Sequence, residues 1–209
     1  MPSGRFIEPV TLEGRHVVLE PLAREHGAAI AEAVRDGELW TLWFTSVPSP
    51  DRVGEWMDAA LDMRERLGAM PFAVRAKADG DIVGSTRYFN VDEANRRLEI
   101  GHTWYAKRAQ RTAINSECKL LLLRHAFQTL ACIAVEFRTH AMNFRSREAI
   151  ARLGAKQDGI LRNHQITPGG SYRDTVVFSI LESEWPAVRT NLEWRLSREH
   201  PASRDQATS

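Results

Sequence analysis

Residues 98–130 read LEIGHTWYAKRAQRTAINSECKLLLLRHAFQTL, and the segment QRTAIN at their centre, Gln110–Asn115, decides the fold. The alternating run Leu98–Tyr105 before it predicts a β-strand, and the apolar run Glu117–Leu130 after it predicts an α-helix. A polar loop that opens a helix presents unpaired backbone N–H groups at the positive end of the helix dipole. Such a loop is suited to hold a phosphate group, and the alternative is a plain surface turn.

Outward from this loop, the sequence predicts a single domain over residues 1–196 and a flexible tail over 197–209. The predicted strands are Arg15–Glu20, Pro71–Ala76, Asp81–Asn90, Leu98–Tyr105, Ile133–Thr139, Ala155–Asn163 and Tyr172–Leu181. Three predicted helices are Arg24–Arg35, Ser116–Leu130 and Asn143–Leu153. A fourth begins at the cap Ser49 and Pro50 and runs through Leu67, and a fifth is capped by Ser183 and ends at Leu196. A hairpin turn is expected at Asp79-Gly80 and another turn at Pro168-Gly169-Gly170. Several consecutive strands precede one strand–helix–strand crossover, which favours an α/β fold with a mixed sheet and helices on both faces.

The composition is that of an ordinary globular protein, with 209 residues, 43% apolar and 26% charged. The net charge of +1 gives no electrostatic reason to expect a nucleic acid or a membrane as partner. Cys118 and Cys132 lie in apolar runs and are expected to be buried thiols, which fits a cytoplasmic location. The seven histidines are scattered, so no metal site is predicted.

Several short motifs, in a fixed order, resemble the GNAT superfamily of acetyl-CoA-dependent N-acetyltransferases, and within it the RimJ/RimL type. They are Leu12–Leu22, the Gly84 strand, Glu99-Ile100-Gly101, the Gln110 loop, Glu117 leading to His125-Ala126-Phe127, Asn143–Arg147, Leu153-Gly154-Ala155 and Asp158–Arg162. The resemblance runs from about Val10 to Trp185. It implies the GNAT fold, a central, mostly antiparallel sheet with helices on both faces, and acetyl-CoA as cofactor.

The resemblance also assigns the cofactor-binding residues. The family's diphosphate loop has the pattern Gln/Arg-x-x-Gly-x-Gly/Ala, and here Ala113 and Asn115 occupy the two small positions. Binding is therefore expected to depend more on Gln110, Arg111 and Thr112, while Asn115 is a residue type that can cap the helix. The complete implied set is Thr103, Trp104, Tyr105, Gln110, Arg111, Thr112, Ala113, Ile114, Asn115, Asn143, Ser146 and Arg147.

Two residues are candidates for catalysis. Ser146 would lie near the thioester sulfur and stabilise the departing thiolate by resemblance; otherwise Asn143 and Ser146 form an ordinary capped helix start. Glu99 is the candidate general base, and its alternative is a solvated carboxylate at the edge of a strand. Alternation along Leu98–Tyr105 puts Glu99, Gly101 and Thr103 on one face and Leu98, Ile100 and His102 on the other. An α-amine with a pKa of about 7.7–8.0 needs only a modest base.

The acceptor pocket is predicted from aromatic and basic residues, Trp40, Trp43, Arg87 and Tyr88, with core packing as the alternative for the aromatic ones. The expected reaction is direct transfer of an acetyl group, in a ternary complex, to the α-amine of a protein or peptide N-terminus. A small-molecule amine is the next candidate acceptor. The rival from another class is a non-catalytic domain that binds acyl-CoA or a partner on the same fold. The last predicted helix, which carries Trp194, is a candidate homodimer surface.

Overall fold

The computed structural model describes residues 5–167 and 169–198. Its strands are β1 (Leu12–Glu13), β2 (Val17–Pro21), β3 (Met70–Ala76), β4 (Ile82–Asp92), β5 (Arg97–Tyr105), β6 (Ala134–His140), β7 (Lys156–Ile166) and β8 (Tyr172–Leu181). Its α-helices are α1 (Gly27–Arg35), α2 (Val53–Leu67), α3 (Ala113–Arg124), α4 (Phe144–Ala151) and α5 (Trp185–Arg198). The strands form one eight-stranded sheet in the order β1-β2-β3-β4-β5-β6-β8-β7.

All neighbouring strands in the sheet are antiparallel except β5 and β6, which are parallel and are joined through α3. Two apolar clusters cover the sheet. The larger contains buried residues of α3, α4 and α5 with Leu98 and Ile100 of β5, and the smaller contains residues of α1 and α2 with Trp104. Helices therefore pack on both faces, and the predicted mixed sheet is confirmed.

The sheet opens between its two parallel strands. Their ladder joins Arg97–Glu99 to Ala134–Glu136 and ends there, although β5 continues to Tyr105 along β4 and β6 continues to His140 along β8. Beyond Glu99 the edge of β5 that faces β6 consequently has no strand partner among the described residues. Backbone N–H and C=O groups on such an edge are available to a ligand.

A β-bulge near His102 changes the direction of the side chains on β5. Arg87 pairs with Gly101 and Ser85 with Trp104, so β5 holds one more residue than β4 across this interval. His102 has a left-handed backbone with φ of 48°. Because the alternation shifts at the bulge, Thr103 is hydrogen-bonded to Lys119 of α3, on the side of Leu98 and Ile100. The sequence prediction that Thr103 shares a face with Glu99 is therefore wrong.

Most element boundaries shift by one to three residues from the sequence prediction. The helix after the loop begins at Ala113 rather than Ser116, Pro50–Arg52 and Glu182–Glu184 form single 3₁₀ turns before α2 and α5, and the two-residue strand β1 was not predicted. The last helix continues through Ser197 to Arg198, two residues into the predicted tail. The remainder of that tail, 199–209, and Pro168 of the predicted turn lie outside the described residues.

Candidate active site

Two helix N-termini meet at the opening between β5 and β6. Helix α3 begins at Ala113, after the loop that follows β5, and helix α4 begins at Phe144, just after β6 ends. The side chain of Gln110 connects them, because its Nε2 donates to the backbone oxygen of Tyr105 (2.9 Å) and its Oε1 accepts from Nη2 of Arg145 (3.1 Å). The positive ends of two helix dipoles are thereby placed at one cleft, at the carboxyl ends of parallel strands, where anionic ligands bind.

The QRTAIN loop is held by local hydrogen bonds. Thr112 is the N-cap of α3: its Oγ1 accepts from the backbone N–H of Ile114 (3.3 Å) and donates to the backbone oxygen of Ala109 (2.8 Å). Asn115 lies inside the first turn of α3, so it does not cap the helix. Ala113 is the first helical residue, and the left-handed position is Arg111, with φ of 61°. The methyl group of Ala113 therefore causes no backbone strain. The strained backbone position in the loop is Arg111, whose side chain is exposed.

The start of α4 has the geometry of a capped helix. Asn143 is the N-cap, and its Oδ1 accepts from the backbone N–H of Ser146 (3.1 Å). Ser146 is half-buried at the third helical position. Arg147 is turned back onto its own segment, since Nη1 donates to the backbone oxygen of Ala141 (3.2 Å) and its guanidinium lies 5.3 Å from the ring centre of Phe144. Arg145, which the sequence analysis did not single out, is the arginine that reaches the loop.

The side chains of Trp104 and Tyr105 are buried on opposite sides of the sheet, in the two different apolar clusters. A ligand in the cleft can therefore meet these two residues mainly through their backbone. Gly84 permits the close strand contact beneath them, because a Cβ at that position would come within 2.3 Å of the backbone oxygen of Trp104. The hydroxyls of the buried Thr86 and the half-buried Thr103 lie 2.8 Å apart and add a polar contact between β4 and β5 at the same place.

Glu99 is 3% exposed and lies where β5 and β6 separate. Its Oε2 accepts from Nδ2 of Asn90 (2.8 Å) and lies 3.4 Å from Nε of Arg138. Its Oε1 is turned toward Gly101, 3.4 Å from where a Cβ at that glycine would be, and has no hydrogen bond to any described residue. Burial raises the pKa of Glu99 to about 7, against the lowering effects of Asn90 and Arg138. The alternative of a solvated edge carboxylate is therefore wrong, and the group can take up a proton near neutral pH.

The predicted acceptor residues separate into two groups. Trp43 is 61% exposed and stands edge-on to His140, with ring centres 4.9 Å apart. Arg87 faces α2, with its guanidinium 5.6 Å from the ring centre of Trp56. Trp40 instead packs against the smaller apolar cluster, and Tyr88 is fully buried in the larger one with its hydroxyl donating to the backbone oxygen of Leu122.

For Tyr88 the core-packing alternative is therefore correct, and its assignment to the pocket is wrong. Trp40 is half-buried, and its assignment to the pocket stays a prediction. Three residues near the site were not predicted from the sequence: Asn90 and Arg138 contact Glu99, and His140 packs against Trp43. Glu136, Arg138 and His140 alternate along β6 and therefore lie on one face of the strand. This alternation is the sequence pattern from which Arg138 and His140 could have been predicted.

The opened parallel strand pair, the capped loop at a helix N-terminus and the buried carboxylate beside the opening lie together at one end of the sheet. A family profile described as an acetyltransferase (GNAT) domain matches residues 16–156. The chain belongs to this family of acetyltransferases.

Three relatives illustrate the similarity. YdaF of Bacillus subtilis, provisionally named a ribosomal N-acetyltransferase, is 31% identical over 51% of this chain, and the match spans 57% of YdaF. A GCN5-related N-acetyltransferase from Brucella melitensis is 31% identical, with a TM-score of 0.85 over 96% of this chain and 91% of its own. RimJ of Mycobacterium smegmatis, solved with CoA-disulfide, is 22% identical with a TM-score of 0.75 over 90% and 95% of the two chains, and shares the fold.

The residues at the cleft fit the acetyl-CoA that the family uses. The open edge of β5, the two converging helix N-termini and the exposed Arg111 supply backbone donors and positive charge, as a pantetheine amide and a diphosphate require. Among residues 5–167 and 169–198, none of the helices is both long and apolar enough to cross a bilayer.

Proposed function

We propose that the protein transfers the acetyl group of acetyl-CoA to a primary amine, by direct transfer in a ternary complex, and that its preferred acceptor is the α-amine of a protein or peptide N-terminus. The single observation that carries this proposal is Glu99: a buried carboxylate with one oxygen free and a pKa of about 7, placed where the sheet opens. Bound acetyl-CoA supplies an activated acetyl thioester; every other contribution comes from the chain.

The proposed contributions are positioning, deprotonation and charge stabilisation. Gln110, Arg111, Thr112, Ala113, Ile114 and Asn115 would hold the diphosphate, with Arg145 as an additional contact. Thr103, Trp104 and Tyr105 would bind the pantetheine arm through the open strand edge, together with Asn143. Ser146 would stabilise the thiolate that leaves. Arg147 would belong to the cofactor site because it lies in the first turn of α4.

Glu99 would accept the proton that the acceptor amine releases. Its pKa of about 7 is close to the pKa of an α-amine, about 7.7–8.0, and much further from that of a lysine side chain, about 10.4. A base matched to the operating pH is most effective when the amine is already partly neutral, which favours an N-terminal acceptor over a lysine. Trp43 and Arg87 would line the acceptor pocket.

The name of one relative agrees with a protein acceptor: YdaF is provisionally named a ribosomal N-acetyltransferase. A small-molecule amine remains the second candidate acceptor. The cytoplasmic location and the homodimer through α5 stay predictions; Trp194 of that helix is 55% exposed.

The first experiment is thermal denaturation with acetyl-CoA, since a ligand that binds the native state raises the unfolding temperature. The second is an initial-rate study with peptides that have free N-termini, compared with the same peptides blocked at the N-terminus and with polyamines. We expect turnover with free N-termini and intersecting rate lines. Parallel lines would contradict direct transfer, and cofactor binding without turnover on any amine would favour the non-catalytic alternative.

A further inference from the structure

Arg87 is a buried cation without a compensating anion. Its side chain is 3% exposed, and no salt bridge of the described residues includes it. Of its five N–H donors, one bonds a protein atom, the thioether sulfur of Met63 at 3.2 Å, and Nε is enclosed without any partner. A thioether is a weak acceptor, so this guanidinium lacks the carboxylate that arginine normally binds when it is buried.

The surroundings of Arg87 offset only part of this cost. Trp56 lies within cation–π distance, 5.6 Å from the guanidinium to the ring centre. Burial nevertheless lowers the pKa of Arg87 to about 10, which shows that the charged form is less well stabilised here than in water. An arginine that served only the fold would be expected to have its donors satisfied, as Arg75 has with both oxygens of Glu20.

The position of Arg87 links it to the transfer site. It pairs with Gly101 across β4 and β5, and Phe89 pairs with Glu99, so Arg87 and Glu99 are diagonal neighbours on one face of the sheet. The Cα atoms of diagonal neighbours lie roughly 7–8 Å apart. Because both side chains start from this short stretch of one face, a single small ligand can present its amine to Glu99 and a carboxylate to Arg87.

We propose that the guanidinium of Arg87 binds a carboxylate carried by the ligand that fills the transfer site. This inference rests on the proposed acetyl-transfer function and narrows its substrates to those with an acidic group. Two sources can supply the carboxylate: an acceptor whose N-terminal residue is acidic, or an acyl donor with a terminal carboxylate. The shared face of Glu99 and Arg87 favours the acceptor, and the test separates the two sources.

The test compares charged and neutral probes of the same size. In the first arm the acceptors are the tripeptide amides Glu-Ala-Ala and Gln-Ala-Ala, with acetyl-CoA as donor. In the second arm the donors are succinyl-CoA and butyryl-CoA, with the glutamine peptide as acceptor. Binding is followed by the change in unfolding temperature at saturating probe, and turnover by kcat/KM. We expect the acidic member of one pair to be favoured at least about tenfold, as for other charge-assisted hydrogen bonds.

The variants Arg87→Gln and Arg87→Met should abolish this preference, because kcat/KM falls much more for the acidic probe than for its neutral partner, while Arg87→Lys should retain part of it. Arg66→Gln, an exposed arginine on α2, is the control and should keep the wild-type preference. The unfolding temperature of Arg87→Met should equal or exceed that of the wild type, because the substitution removes an unpaired buried charge. A structural arginine would give the opposite result.

Three outcomes would overturn the proposal: no preference for either acidic probe in the wild type, a preference that survives in Arg87→Gln, or a marked loss of stability in Arg87→Met. Failure of the acetyl-transfer function is distinguishable from these. In that case acetyl-CoA gives no thermal shift and no probe turns over, whereas failure of the carboxylate proposal leaves acetyl transfer to neutral acceptors intact.

Discussion

Two buried glutamates, Glu99 on β5 and Glu117 on α3, show how the environment decides what a carboxylate does. Glu117 accepts three backbone hydrogen bonds, from Arg15 (2.8 Å), His16 (2.6 Å) and Val17 (2.9 Å). Glu99 accepts one from a side-chain amide, keeps one oxygen free, and has a pKa raised to about 7 by burial. The first is enclosed by backbone donors and joins α3 to the start of β2. The second is left able to exchange a proton.

The sequence around Glu117 is adapted to this contact. A Cβ at Gly14 would come within 2.4 Å of Cδ of Glu117, so only glycine leaves room for the carboxylate beneath the turn. The same residue type is thus structural where backbone donors enclose it. It becomes chemically useful where the fold removes water without supplying enough donors.

The largest expected effect is on activity, in Glu99→Gln. The amide cannot accept a proton, and loss of a general base typically lowers the rate about 10²–10⁴-fold, or roughly 3–5 kcal/mol of transition-state stabilisation. The loss should appear mainly in kcat, measured with acetyl-CoA and a peptide that has a free N-terminus. Glu93→Gln, an exposed glutamate in the turn between β4 and β5, is the matched control and should retain activity. An unchanged rate in Glu99→Gln would remove Glu99 as the base.

Glu117→Ala should have the opposite effect: it should lower the free energy of unfolding strongly and change the catalytic step little. Three backbone N–H groups lose their acceptor, including the buried one of Val17, and we expect the free energy of unfolding to fall by about 3–4 kcal/mol. Chemical denaturation measures the difference. Glu117→Gln keeps one acceptor oxygen, so its free energy of unfolding should lie between those of the wild type and Glu117→Ala. If Glu117→Ala were as stable as the wild type, the structural assignment of this carboxylate would be wrong.

The pH dependence of stability provides a third comparison. The pKa of Glu99 is raised from 4.5 to about 7 in the folded state, so between these values the native protein holds a proton that the unfolded chain has released. This group's contribution to stability therefore falls as pH rises from about 4.5 to 7, by up to about 3 kcal/mol. Below pH 4.5 the group is protonated in both states and contributes no pH dependence.

Other carboxylates have the opposite sign; hydrogen bonding to Arg75, for example, lowers the pKa of Glu20. The measurement is therefore the difference between wild type and Glu99→Gln across pH 4–8. We expect Glu99→Gln to gain stability relative to the wild type as pH rises. A difference that stays constant over this range would show that Glu99 has an ordinary pKa.

The sequence predicted the order of the main elements and the helix N-terminus at the QRTAIN loop, because these depend on local periodicity and helix capping. Thr103 was misplaced since a bulge at His102 is set by pairing with β4, which no local pattern reveals. Tyr88 was misassigned because an aromatic residue on a strand gives the same local sequence pattern whether it lies in a core or in a pocket. The partners of Glu99, Asn90 and Arg138, come from two other strands and became visible only with the sheet order.

The smallest expected effect concerns Arg111 and extends the comparison to a cation at the edge of the site. Its left-handed backbone, φ of 61°, is strained for any residue with a side chain, so Arg111→Gly should stabilise the fold by about 0.5–1 kcal/mol while removing the guanidinium. Arg111→Ala removes the same charge and keeps the strain. If the guanidinium contacts the diphosphate, both variants should weaken CoA binding about tenfold, with the effect increasing at low salt. Calorimetric titration with CoA measures it. Weakening in Arg111→Ala alone would assign the effect to the backbone of the loop, and an unchanged affinity in both would place the diphosphate away from Arg111.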